Sequence, residues 1–204
     1  MSFYETHILP HLIGFACATP QIMKQRSLLV PAAEGRVLEV GFGSGTNLSF
    51  YDPVKVDRLF ALEPSEGMRR KAAKAVAGSA LEIEWLDLPG ESIPLDDDSV
   101  DTVVLTYTAC TIPDAAAALS QMRRVLKPGG RLLFSEHGAA PDEGVAKWQR
   151  RIEPVWKPIA GGCHLTRKPD QMIRQAGFTI DRLTADYLPK SPKFAAFNYA
   201  GGAV

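Results

Sequence analysis

The stretch VLEVGFGSGTNLSFY, residues 37–51, sets an apolar run containing one acid, Glu39, against three glycines at alternate positions, Gly41, Gly43 and Gly45. A β-type run that empties into a glycine loop marks the first turn of a sheet covered by crossover helices, where ligands sit beyond the carboxyl ends of the strands. Glycine lets the chain turn sharply and approach a ligand with no Cβ in the way. A P-loop reading needs GxxxxGK[ST] and its lysine, but no lysine falls between Lys24 and Lys55. A dinucleotide reading needs G-x-G-x-x-G; counted from Gly41, the last glycine falls on Thr46, and Gly45 comes one residue early. Glu39 is the stronger discriminator. A carboxylate just before the first glycine repels a pyrophosphate and suits a cationic ligand or an amino group.

Outward from the loop, RVLEV (36–40) reads as the first strand and RLFALE (58–63) as the second, ending in another acid, Glu63. An ionised carboxylate there can accept hydrogen bonds from both hydroxyls of a ribose. With Glu39 and the glycine spacing, it indicates a nucleoside that carries positive charge rather than a diphosphate. Pro64 and Ser65 start a helix of good helix formers. LEIEWL (81–86) reads as an edge strand, and VDTVVLTY (100–107) as a strand buried on both faces. DAAAALSQMRRVLKPGG sets Ala118, Leu119, Met122, Val125 and Leu126 on one helical face, with the stop expected at Pro128-Gly129-Gly130. RLLFSEH (131–137) is a fifth strand; residues 142–162 start helical and are expected to turn irregular at Pro154, Pro158 and Gly161-Gly162, as an insertion or lid. PDQMIRQAGF gives a last helix, then FTIDRLTADYL and KFAAFNYAGGAV two strands. The expected fold is α/β: a Rossmann-like, doubly wound, mostly parallel seven-stranded sheet with a C-terminal antiparallel strand. One domain is expected over 1–204, with a helical cap at 1–34, a cofactor-binding core at 35–137, and a lid with the terminal strands at 138–204.

Lys+Arg and Asp+Glu both number 23, so no net positive charge predicts a nucleic-acid partner. The three cysteines, Cys17, Cys110 and Cys163, form no CxxC pair. That argues against a disulfide framework or structural zinc and for a reducing cytoplasm. The N-terminal segment lacks a signal-peptide pattern, and no window approaches the roughly 20 apolar residues that span a bilayer; membrane association is not expected. Nothing here predicts an oligomeric state.

VLEVGFGSGTN, ALEPSEGM, GESIPLDDDSVDTVV and RVLKPGGRLLFSEH, in that order and at that spacing, resemble the class I S-adenosylmethionine-dependent methyltransferases of the small type 11 group, over about residues 30–137. NLSFY, SEHG, the segment around Trp148 and Trp156, and GGCHLTR resemble a narrower branch, the methyltransferase-like 7 proteins associated with thiol methylation and their soluble bacterial relatives. The resemblance implies S-adenosylmethionine as cofactor and a small-molecule acceptor, with a thiol preferred over an amine, phenol or lipid head group. It implies that Gly41, Gly43 and Gly45 cradle the methionine part, with Glu39 near its amino group. Asn47 joins the same set, Glu63 binds the ribose, Pro64 and Met68 pack near the adenine, and Thr106 meets the methionine end. Where the wider family has Gly-Asp-Ala-Glu, this chain has Leu88-Pro89-Gly90-Glu91. The aspartate that meets the adenine amino group is absent, which puts Gly90 and Glu91 in its place, or Asp87.

Methyl transfer from a sulfonium is an in-line displacement whose electrophile comes from the cofactor, so few catalytic side chains are needed. Candidate bases or orienters follow strands four and five: Tyr107, Cys110, Glu136 and His137. His137 is the first choice, with a reference pKa of about 6.5; against that stands a purely structural bond to the lid. His164 is a further candidate, or a cap for the region that follows. Cys163-His164 has no further ligand spacing and predicts no metal. Asp96-Asp97-Asp98 reads as a solvated turn. Trp148 and Trp156 either line an apolar acceptor pocket or fill core, and Tyr4, His7 and His11 either close over the substrate or pack. A non-catalytic cofactor-binding protein is the competing reading from another class.

Overall fold

Alternation along two central strands organises the molecule. In β1 (Gly35–Val40), Leu38 and Val40 join a core on one side of the sheet, and Val37 joins a second core on the other. In β4 (Val100–Thr106), Val103 and Leu105 take the first side and Val104 the second. Glu39 pairs in register with Val104, so it shares the second side with Thr106. The computed structural model describes residues 9–204, apart from the side chains of residues 10, 11, 15 and 16; Tyr4, His7 and the His11 side chain lie outside the described residues.

The chain runs α1 (Leu9–Cys17), α2 (Pro20–Leu29), β1, β2 (Val56–Leu62), α3 (Glu66–Ala77), β3 (Ile83–Leu86), β4, α4 (Ala115–Val125), β5 (Leu126–His137), α5 (Glu143–Ile159), α6 (Pro169–Gln175), β6 (Ile180–Tyr187), α7 (Lys193–Ala196) and β7 (Phe197–Ala203). The seven strands lie in the order β3-β2-β1-β4-β5-β7-β6. β7 is antiparallel to both neighbours, and the other pairs are parallel. The expected sheet is therefore the observed one. Strand order reverses between β1 and β4, which fixes the ligand crevice at their carboxyl ends.

Local chemistry sets the helix starts. Ser65 caps α3 by accepting from the Met68 N–H, and Asp114 caps α4 by accepting from Ala117. Ala118, Leu119, Met122, Val125 and Leu126 are all buried, as the periodicity required. α4 ends at Val125, though, ahead of Pro128-Gly129-Gly130. Leu126 already pairs with Val100, and the register shifts before Thr102 meets Arg131.

Two other expectations are corrected. α5 runs unbroken through Pro154 and Pro158 to Ile159 instead of turning irregular. Both prolines are exposed, so carbonyls that lose an intrahelical N–H face water, and four-residue spacing keeps both on one side of the helix. The segment KFAAFNYAGGAV is not strand throughout: Lys193–Ala196 forms one helical turn, held where Gln149 Nε2 donates to the Phe194 carbonyl at 2.8 Å. Among the described residues, no helix is long and apolar enough to cross a membrane.

Candidate active site

At the carboxyl ends of β1, β2 and β4 lies a cavity of about 310 Å³, within the range of small-ligand sites. Gly41, Gly43, Glu63, Pro64, Met68, Gly90, Glu91, Thr106 and Tyr107 line it, together with Ile13, Cys17 and Arg26 from the two N-terminal helices. Glu39, Gly45, Asn47, His137 and His164 do not line it. Gly41 has φ +74°, and a Cβ there would fall 2.2 Å from Thr108 Cγ2, so only glycine lets the loop pass over β4. Glu63 Oε2 accepts from the Gly43 N–H at 2.8 Å and Oε1 from the Ser65 N–H at 2.9 Å. Burial raises its pKa, against the pull of the Ser65 and Gly43 amides. The carboxylate thus ties the glycine loop to the start of α3 and keeps lone pairs for a ligand. Gly90 sits against Ile112, Ala118 and Val40, while Glu91 accepts from the Asp114 N–H at 3.1 Å. Asp87 is exposed and does not line the cavity.

Behind the glycine loop is a buried polar network. Glu39 Oε1 accepts from Asn47 Nδ2 at 2.9 Å and Oε2 from the Tyr51 hydroxyl at 2.7 Å. Asn47 Nδ2 also donates to Thr106 Oγ1 at 3.0 Å. Arg26 Nη1 donates to Asn47 Oδ1 at 2.8 Å and Thr106 Oγ1 at 2.7 Å, with its guanidinium over the Tyr107 ring. Burial pushes Glu39 up to about 7, opposed by the Tyr51 bond, the Arg26 charge and the Asn47 bond. Arg26 Nε is buried with no partner among the described residues. Sequence reasoning missed Arg26, because a lone arginine on a helix of low amphipathicity reads as solvent-facing; no local signal marks it.

The ends of β4 and β5 carry the remaining candidates. Tyr107 holds φ +53°, rare for a bulky residue, and desolvation raises its phenol well above the ordinary range. Glu136 is fully buried; Oε1 accepts from the Thr108 N–H at 2.8 Å, and Oε2 has no partner among the described residues. His137 Nε2 lies 3.1 Å from Cys163 Sγ, with Cys110 beside them. His137 is raised: burial, the largest single influence, opposes its charge, but the hydrogen bond to Cys163 and the charges of Cys163 and Glu136 together outweigh it. Cys163 is lowered, first by the Cys110 thiol donating to it, against burial, and then by His137. His164 instead faces Glu153, Nδ1 to Oε1 3.3 Å. Trp148 is exposed and Trp156 packs edge-on against Phe194; neither lines the cavity. Asp97 of the acidic turn pairs with Arg124.

The arrangement is the fold of class I methyltransferases, with a cavity at its topological switch point. An S-adenosylmethionine-dependent methyltransferase from Leishmania major matches it with a TM-score of 0.71 at 15% identity, over 98% of this chain and 80% of that one. A family description, methyltransferase domain, matches residues 38–134. Human thiol S-methyltransferase TMT1A is 32% identical over 178 residues, 85% of this chain and 72% of that protein. Human thiol S-methyltransferase TMT1B is 39% identical over 153 residues, 72% of this chain and 62% of that protein. The chain belongs to the class I S-adenosylmethionine-dependent methyltransferase family. It spans about three fifths of the length of TMT1B.

Proposed function

We propose that this chain transfers the methyl group of S-adenosylmethionine to a small-molecule acceptor, a thiol in preference to an amine, phenol or lipid head group. The observation that carries the cofactor reading is Glu63, a buried carboxylate at the end of β2 that lines the cavity and is bonded to the glycine loop. Gly41 and Gly43 offer a Cβ-free backbone for the methionine part, and Pro64, Met68, Gly90 and Glu91 surround the adenine. Arg26, with Nε unpaired among the described residues, takes the carboxylate of the amino-acid end. Glu39 acts from one layer back, holding Asn47 and through it Thr106 in place beneath the amino-acid end, and Gly45 shapes the loop without contact.

Bound S-adenosylmethionine supplies the electrophilic methyl group. The protein therefore aligns the acceptor and excludes water. Tyr107 lines the cavity and, held neutral by desolvation, orients as a donor rather than acting as a base. His137 acts through Cys163, since its Nε2 is engaged there. The thiol preference is supported by the kinship with two thiol S-methyltransferases. Cys17, Cys110 and Cys163 are all free thiols, which supports a cytoplasmic setting; balanced charge supports no nucleic-acid partner.

Isothermal titration with S-adenosylhomocysteine tests the cofactor reading. Two ribose hydrogen bonds to a carboxylate are worth about 1.5–3 kcal/mol each, so Glu63→Ala is expected to weaken binding by about a hundredfold or more. Absence of binding to the wild-type chain overturns the reading.

A further inference from the structure

We propose that Cys110, His137 and Cys163 form a binding site for a zinc-class metal ion whose fourth position takes the sulfur of the thiol acceptor; this second half rests on the thiol reading above. The three residues come from separate segments: the turn after β4, the last residue of β5, and the loop after α5. Their donor atoms all lie within 4.8 Å of one another, and His137 Nε2 is 3.1 Å from Cys163 Sγ. Tetrahedral zinc, with bonds of about 2.3 Å to sulfur and 2.0–2.1 Å to nitrogen, places such donors about 3.5–3.8 Å apart. Closing on the ion therefore asks for shifts of about an ångström or less.

The donor set is selective. Two sulfurs and an imidazole suit zinc and reject magnesium and calcium, which take oxygen. Among the described residues three ligands meet here, which leaves one position free, the pattern of catalytic rather than structural zinc. His164, the sequence neighbour of Cys163, is turned to Glu153 and adds no fourth ligand.

The frame around the cluster is built. The His164 N–H donates to the Cys110 carbonyl at 2.8 Å, which ties two ligand segments together. Arg167 grips the Cys110 turn through the carbonyls of Ala109, Ile112 and Pro113, while its own carbonyl accepts from Ala139 just past His137. A Cβ on Gly138 would fall 2.5 Å from that Arg167 carbonyl, so glycine is what lets the loop close on the end of β5. Both cysteines are buried, yet Tyr107, Thr108 and Thr111 around Cys110, and Gly161 before Cys163, line the cofactor cavity. The cluster and the cavity share a wall.

A free thiol, pKa about 8.5, is mostly protonated at neutral pH, whereas a metal-bound thiol is deprotonated. The acceptor releases its proton to solvent on ligation. A lone pair of its sulfur forms the new S–CH3 bond, and the sulfonium C–S bond breaks with its pair going to the cofactor sulfur. Thiolate charge and sulfonium charge cancel, and the neutral thioether, a weak ligand, departs.

The test is cobalt(II) titration of the full chain, kept reduced with a phosphine, beside zinc analysis by mass spectrometry. One ion per chain, with a sulfur-to-cobalt band in the near ultraviolet and strong tetrahedral bands in the visible, is expected. Cys110→Ser, Cys163→Ser and His137→Ala should each lose those bands while still binding S-adenosylhomocysteine, which shows that the fold survives. Thiophenol should shift the visible bands of the wild type. Substoichiometric zinc after reconstitution with no cobalt spectrum overturns the site, and bands unmoved by saturating thiophenol overturn the role of the fourth position. If the metal-stripped chain methylates thiophenol at the full rate, that role falls and the thiol reading stands. A metal-loaded chain inert on every thiol overturns the thiol reading instead.

Discussion

Arg26→Met isolates the contact assigned to the carboxylate of the cofactor. Arg26 is 3% exposed, spends Nη1 on Asn47 and Thr106, and leaves Nε without a partner among the described residues. Methionine keeps much of the apolar stem and removes the charge. A hydrogen bond to a charged group is worth about 1.5–3 kcal/mol, which is about a 10- to 150-fold change in Kd. The assay is titration of wild type and variant with S-adenosylhomocysteine and with its decarboxylated analogue. The variant should bind the parent ligand 10- to 150-fold more weakly by that estimate; the wild type should show a similar loss toward the analogue, and the variant no further loss. Leaving Asn47 Oδ1 unpaired also costs about 1–3 kcal/mol of stability, so the melting temperature of the variant should fall. Equal weakening toward both ligands would refute the assignment and make Arg26 a purely structural arginine.

Gly41→Ala places a Cβ 2.2 Å from Thr108 Cγ2 at φ +74°. Left-handed strain of about 1–2 kcal/mol and overpacking of about 1–3 kcal/mol should add in urea unfolding. Thr108→Gly on top should recover the overpacking share alone, and a harmless single variant would contradict the geometry. Glu39 gives a pH signature. Its carboxyl is raised to about 7 in the folded chain, so the folded state holds a proton that the unfolded state releases near the ordinary carboxylate pKa. Its contribution is therefore full below about 4.5 and is lost as pH rises toward 7. The stability difference between wild type and Glu39→Gln should change across that window; a flat difference would show that Glu39 stays ionised.

Much of the frame was readable because it rests on local periodicity. The apolar runs of β1 and β4, the helix start at Ser65 and the buried face of α4 are signals contained in a few consecutive residues. Glu63 was legible for the same reason, as an acid at the end of a strand that follows a glycine loop. Arg26 was not, since its meaning comes from Thr106, 80 residues away. The course of α5 through Pro154 and Pro158 was hidden too, because the cost of a proline depends on whether the freed carbonyl meets water, and the sequence does not state exposure. The gathering of Cys110, His137 and Cys163 leaves no spacing pattern either. It is made by the turn after β4 and the loop after α5 closing on the end of β5, with Gly138 clearing the way.

The most direct measurement is transfer of labelled methyl from S-adenosylmethionine to a panel of small thiols, amines, phenols and lipid head groups, with each product identified by mass. The expected result is a methyl thioether from thiols, formed by the wild-type chain and nearly abolished in Glu63→Ala. Cofactor binding without turnover on any acceptor would contradict the enzyme reading, and methylation of the other acceptors with thiols left inert would contradict the thiol preference.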